Sequence, residues 1–346
     1  MLNHQCRQNI YDLHTKSDCW KSILKDAITD VSTLAKYIEI PPEKLLKIAD
    51  YSDDAAKKFP IFIPKTYAAR FLKGDINDPL LKQVLPISDE LIIKEGFCND
   101  PVGDNKAKKS EWLLQKYHGR TLILTTNKCS INCRFCFRKN VLGNTSAPNI
   151  NQLESVLHEI SSDQSIEEVI LSGGEPFILD DNQIIELLKI LENIDHLKRI
   201  RFHTRMAITI PQRINNNLVD RLQQSTKQVV IITHCNHPNE IDIKVTDKLS
   251  LFKATNVTLL NQSVLLKGVN DKCETLASLS SQLFDLGIIP YYLHLLDKAQ
   301  GAHHFYIPDS KAIEIWTQLQ KKLPGYLVPK LVREIAGEPA KTIISK

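Results

Sequence analysis

The chain has 346 residues, 42% of them hydrophobic, enough to bury a large core as one large domain or two smaller ones. Lys and Arg number 44 against 40 Asp and Glu, a net charge of +4; this is too mild to argue for nucleic acid, so any anion must be bound by a specific pocket. No apolar run reaches the roughly 20 residues of a membrane span. The N-terminal MLNHQCRQNIYDLH is polar and lacks the apolar stretch of a secretory signal, so the cytoplasm is the expected compartment and the eight cysteines are expected to stay reduced there.

In chain order, the first hundred or so residues read as helical and then irregular. WKSILKDAITDVSTLAKYIEI carries apolar residues at helical spacing, and PPEKLLKIAD restarts after a Pro-Pro break. The stretch from Gly74 to Asp104 is rich in Pro, Asp and Asn and reads as a link. KAKK at 106–109 reads as a solvated turn. From residue 120 the pattern changes. TLILTT, EEVILSGG, RIRFHT, QVVIITH, NVTLLNQ and GIIPYYLHL are short apolar runs of strand type. Helical patterns separate them, marked first by Leu153, Val156, Leu157 and Ile160, then by Ile184, Leu187, Leu188 and Leu191, and again around 212–224, 245–254 and 273–286. Six strand–helix alternations predict an α/β fold with a parallel sheet. Such sheets and barrels place their chemistry at the C-terminal strand ends. Lys128 and Cys129, GGEP, HTR, THCNHPNE, NQS and HLLD all fall there, which predicts one large cofactor site.

The sharpest signal is KCSINCRFCFRK at 128–139, with Cys129, Cys133 and Cys136 in a C-x3-C-x2-C run. Three thiols are odd for disulfides and one short of a closed zinc site. Three cysteines on a cubane iron–sulfur cluster leave one iron open to another ligand. Alternatives are a zinc site completed by a distant histidine such as His118 or His203, or three unrelated buried cysteines. Cys6, Cys19, Cys98, Cys235 and Cys273 are scattered and read as ordinary thiols.

C-x3-C-x2-C after the first strand, with Phe135 beside the last cysteine and LSGGEP (171–176) one unit later, resembles the radical S-adenosylmethionine (SAM) enzymes. THCNHPNE, NQSVLLKGVND, PYYLHLLD and PGYLVP extend the resemblance, in order, to the lysine 2,3-aminomutase family, from about residue 77 to the end. WKSILKDAITD and NDPLLKQVLP are typical of the branch that serves elongation factor P, the EpmB proteins. The resemblance implies a partial (βα)6 TIM-like radical SAM barrel over 108–323. Before it would lie a helical N-terminal region and linker over 1–107, and after it a C-terminal segment, 324–346, carrying a lysine for pyridoxal 5′-phosphate (PLP).

Residue by residue, the resemblance implies that Cys129, Cys133 and Cys136 hold a 4Fe–4S cluster whose open iron is chelated by SAM. Gly173, Gly174 and Glu175 would approach the SAM amino group, with further contacts near His203, Arg205, His234 and Gln262. Lys341 in AGEPAKT would bind PLP, and Lys116, Tyr117 and Arg120 in KYHGR would hold its phosphate. Arg138 would bind the substrate carboxylate. Asp297 and Glu334 would meet the terminal ammonium of L-lysine. Two departures stand out: position 334 is Glu where the resembled lysine aminomutases carry Asp, and GEPA replaces their glycine run before the lysine. The implied reaction moves the lysine amino group from Cα to Cβ after hydrogen abstraction by a 5′-deoxyadenosyl radical. The product would be (R)-β-lysine, passed to a ligase that modifies elongation factor P. An electron donor such as flavodoxin is expected. A metabolic free-lysine aminomutase and a non-catalytic iron–sulfur or zinc protein remain the alternatives.

Overall fold

The apolar runs after residue 120 become neighbouring strands of one sheet because each alternates a helix-facing and an inward-facing residue. The computed structural model describes residues 19–47, 49–140, 148 and 150–345; Cys6 and the polar N-terminal stretch lie outside them. The strands are β1 (Lys108–Ser110), β2 (Leu113–Tyr117), β3 (Arg120–Thr126), β4 (Glu168–Gly173), β5 (Arg199–Thr204), β6 (Gln228–Thr233), β7 (Thr258–Val264), β8 (Ile289–His294), β9 (Lys330–Arg333) and β10 (Thr342–Ile343). They stand in chain order across the sheet. The step from each strand to the next is parallel from β3 to β9. β1, β2 and β10 pair antiparallel at the two edges.

The six expected strands are β3 to β8. Four more flank them. Lys108, expected in a turn, opens β1, and the C-terminal segment adds β9 and β10.

One strand face packs against helices. Ile123, Val169, Leu171, Ile200, Phe202, Val229, Ile231 and Leu259 share a core with Ile160, Leu187, Leu188, Leu191, Leu222, Leu249 and Leu283. These helices include Ile150–Ser162, Asp181–Glu192, Asn216–Gln223, Ile243–Ser250 and Cys273–Asp285, and their apolar stripes face the sheet. Leu188 is fully buried there, so truncation to Ala costs about 2–5 kcal/mol. The opposite strand face lines a cavity to which β2 to β5 and β7 to β9 contribute directly, and β6 through His234 just past its end. A flat sheet cannot bring Lys116 and Val332 to one cavity, so the sheet curves into a partial α/β barrel.

The N-terminal region forms its own core of Ile28, Leu34, Ile38, Leu45, Ile63, Tyr67 and Leu80, against which Cys133 packs. The first helical pattern breaks in two, Trp20–Lys25 and Val31–Ile38. Between them Ile28 pairs with Ile63 by backbone hydrogen bonds of 2.8 and 3.0 Å, and Asp30 caps the second helix through Thr33 N (2.8 Å). The stretch from Gly74 to Asp104 is packed rather than a loose link. Asp78 caps Leu80 and Leu81 at 2.8 and 2.7 Å, and Leu80, Leu81, Val84 and Leu85 are buried. Among the described residues no helix is long and apolar enough to cross a membrane.

Candidate active site

The cysteine loop follows β3 directly and is pinned from outside the barrel. Arg134, between Cys133 and Cys136, is completely buried. It donates to both oxygens of Glu90 (2.8 and 2.6 Å) and to Phe59 O (2.6 Å). Lys139 also reaches Glu90 (3.2 Å) and Gly301 O (2.6 Å). A bidentate pair of this kind fixes orientation as well as charge, so the segment before the barrel sets the loop's shape. All three thiols line the cavity. Burial pushes each of them up, Cys136 to about 11, so bound metal is what would keep them as thiolates. Among the described residues, no three His, Cys, Asp or Glu side chains converge as ligands of one ion.

The GGEP segment at the end of β4 is shaped by backbone contact. A Cβ on Gly174 would stand 2.1 Å from Lys128 O, and one on Gly173, at φ +113°, would stand 2.9 Å from Thr126 O. These glycines let the β4 end close on the chain entering the cysteine loop, through Gly174 N to Thr126 O (2.7 Å) and Glu175 N to Lys128 O (2.8 Å). Glu175 turns its carboxylate to the protein's own amides. It accepts from Phe177 N (3.0 Å), Arg205 N (2.8 Å) and Met206 N (2.9 Å), which fixes the turn after β5.

Arg205, on that turn, donates to Cys133 Sγ. It also donates to Gln83 Oε1 (2.8 Å), Tyr67 Oη (3.2 Å) and Glu240 Oε2 (3.2 Å). Its Nε has no partner among the described residues, nor do the buried Nε2 atoms of His203, His234 and His294. All four residues line the cavity. Burial keeps the three imidazoles neutral. His234 and His294 are pushed down to about 3, with Arg205 and Lys341 respectively adding to the effect, and His203 is lowered by burial, then by Arg201. Unpartnered buried nitrogens facing a cavity call for a ligand, so the residues present fit a bound cofactor.

The other end is a network of shared charges. Lys341, on the loop entering β10, pairs with Glu334, which also receives Lys116 (3.4 Å) and the Tyr117 hydroxyl. Lys116 binds Asp104 (2.7 Å) and Val102 O (2.8 Å), and Arg138 binds Asp104 (2.7 Å). Asp297 is pushed up to about 7, by burial against the pull of Lys341 and with a push from Glu334.

All the residues to which the family resemblance gives a role line one cavity of about 490 Å³, whereas His118, a candidate zinc ligand, does not. Within it they divide. The cysteines, glycines, Arg205 and His234 stand with the loop after β3, while Lys341, Glu334, Asp297, Arg138, Lys116 and Tyr117 form the charged end. The cavity residues given no role by the sequence include Asp104, Arg201, Tyr292 and His294. Asp104 sat in a stretch that read as a link. Arg201 had a usable signal, because Arg199, Arg201 and His203 alternate with Ile200 and Phe202 in RIRFHT.

The pattern of the radical SAM superfamily matches residues 123–279, the part that holds the cysteine loop and the strands around it. This defines the class of the site, and with it a 4Fe–4S cluster and SAM. Over 327 residues the chain is 44% identical to the L-lysine 2,3-aminomutase of Haemophilus influenzae, covering 94% of this chain and 96% of that one. It is 42% identical to that of Escherichia coli over 335 residues, 96% and 97% of the two chains. To that of Clostridium subterminale it is 32% identical, covering 93% of this chain and 77% of the relative. The chain belongs to the L-lysine 2,3-aminomutase family.

Proposed function

We propose that the protein is an L-lysine 2,3-aminomutase, an isomerase that converts L-lysine to (R)-β-lysine with a 4Fe–4S cluster, SAM and PLP. The observation that carries this reading is one cavity lined both by the three cysteines and by Lys341, Asp297 and Glu334. When bound, the cluster with SAM supplies one-electron chemistry and PLP carries the amino group that moves.

The chain's own residues do the holding. Cys129, Cys133 and Cys136 anchor the cluster. Gly173 and Gly174 bring backbone close to SAM, and His203, His234, Gln262 and the free Nε of Arg205 offer it polar contacts. Glu175 acts behind them by fixing the Arg205 turn. Lys341 attaches PLP. Arg138 has a planar fork suited to the substrate carboxylate and must exchange Asp104 for it. Asp297 receives the terminal ammonium of lysine, whose desolvation needs an acid partner. Glu334 is shared between that ammonium and Lys341, and its extra methylene relative to Asp lets it reach both.

In this reading β-lysine is made in the cytoplasm for a ligase that attaches it to elongation factor P, and a donor such as flavodoxin reduces the cluster. The N-terminal WKSILKDAITD and NDPLLKQVLP segments support that assignment. Lys341→Ala tests the reading. An aminomutase loses both the visible absorbance of bound PLP and β-lysine formation while keeping its cluster; a non-catalytic iron–sulfur protein keeps every property.

A further inference from the structure

The residues that resemblance assigns to the PLP phosphate do not all face an anion. Lys116 is held by Asp104, Glu334 and Val102 O, and the Tyr117 hydroxyl is turned to Glu334. Of the three, only Arg120 has no carboxylate partner among the described residues; its guanidinium stacks on the Tyr117 ring at 5.0 Å. A second guanidinium lies near it. Arg201 points into the same cavity from β5, close enough to Arg120 for the two charges to repel. Between them on β4 stands one acid, Glu168, in register with Arg120 and Arg199. Glu168 is divided between Arg201 and Arg199, so Arg120 is left uncompensated. Across the cavity on β8, the Tyr291 and Tyr292 hydroxyls are hydrogen-bonded to each other at 2.8 Å, and both guanidiniums act on Tyr292.

Two adjacent guanidiniums, of which only Arg201 has an acid and that one also bound by Arg199, beside two phenol hydroxyls, leave a positive surplus inside a cavity, where an anion is the compensating ligand. We propose that Arg120 and Arg201, with Tyr292, form the binding pole for a phosphate monoester dianion, and that Arg201 is a cofactor-binding residue. Resting on the aminomutase reading, that ester is the phosphate of PLP. His203 supports the placement, since both Arg201 and Lys341 act on it, so the pole and the PLP lysine flank one histidine. Lys116 then belongs to the charged network around Glu334.

The test uses the full chain purified without added PLP. It is titrated with PLP and with pyridoxal, which lacks the phosphate, following visible absorbance, and with inorganic phosphate, following tyrosine fluorescence. Arg201→Gln and Arg120→Gln are each expected to weaken PLP about tenfold or more, as loss of a charge-assisted contact does. Both should leave pyridoxal binding unchanged and remove the phosphate response. Lys116→Gln is expected to keep the preference for PLP over pyridoxal. Because Arg201→Gln leaves Glu168 short of a partner, the double variant Glu168→Gln/Arg201→Gln serves as the folding control. It should regain thermal stability and still bind PLP weakly. The proposal is overturned if Arg201→Gln keeps the wild-type preference, if Lys116→Gln abolishes it, or if wild-type protein gives no response to inorganic phosphate. A wild-type protein that binds inorganic phosphate through Arg201 but never develops PLP absorbance keeps the pole and overturns the PLP reading.

Discussion

The two ends of the cavity hold charge in opposite ways. At the cysteine end, Arg134 and Arg205 are buried and each is tied to several fixed acceptors from the N-terminal region and the strand ends. At the lysine end, Lys116, Arg138 and Lys341 share Asp104 and Glu334 at the edge of solvent. The first arrangement cannot exchange partners without leaving a buried charge unpaired, which is costly. The second can, because an incoming ammonium or carboxylate replaces a partner of the same sign. One end is built to hold a fixed inorganic group and the other to trade ligands.

The largest effect is expected where the rigid end loses a ligand. Cys133→Ala should lose the 4Fe–4S content, read as bound iron and acid-labile sulfide, and all turnover. Next is the support behind it. Glu240 is completely buried and accepts from Arg205, Gln83, Asn236 N and His237 N. Glu240→Ala strands the Arg205 charge and should cost about 3–5 kcal/mol in denaturant unfolding; a loss under 1 kcal/mol would mean that this end is no more fixed than the other.

Asp297 tests the exchangeable end. Its carboxyl titrates at about 7 against an ordinary 3.8, so the folded protein holds this proton more tightly than the unfolded chain. Ionisation therefore penalises folding. The penalty is absent below the ordinary value, grows as pH rises toward 7 and is constant above it. Asp297→Asn should raise the melting temperature of the ligand-free protein at alkaline pH and leave it unchanged in acid. In turnover the sign reverses: the ammonium needs the carboxylate, so the KM for lysine should climb as pH falls through 7, and Asp297→Asn should remove that slope. A KM that stays flat with pH in wild type would take Asp297 out of the substrate site. The smallest effect belongs to the exposed Lys311–Glu314 pair. Glu314→Gln should change stability by no more than about 0.5 kcal/mol.

The same contrast explains what could be read beforehand. The cysteine end was legible because its ligands are close in sequence and the following GGEP is one βα unit away. β3 to β8 were legible because each is an apolar run bounded by turn residues. The lysine end is assembled from residues 104, 116, 138, 297, 334 and 341, and no local spacing links them; only resemblance placed Lys341, which alone reads as a tail residue. β9 and β10 have four and two residues, too short for periodicity. The segment from 74 to 104 reads as a link because it is rich in Pro, Asp and Asn, but Asp78 and Gln83 turn their side chains inward, where they cap and bridge.

The central claim is that the two ends act on one substrate in one cavity. The direct test is an anaerobic incubation of reconstituted protein with SAM, PLP, dithionite and L-lysine, with β-lysine read by chromatography. The expected result is β-lysine from the wild type and none from Cys133→Ala or Lys341→Ala. A wild-type protein with its cluster formed and PLP bound that makes no β-lysine from free L-lysine would contradict it.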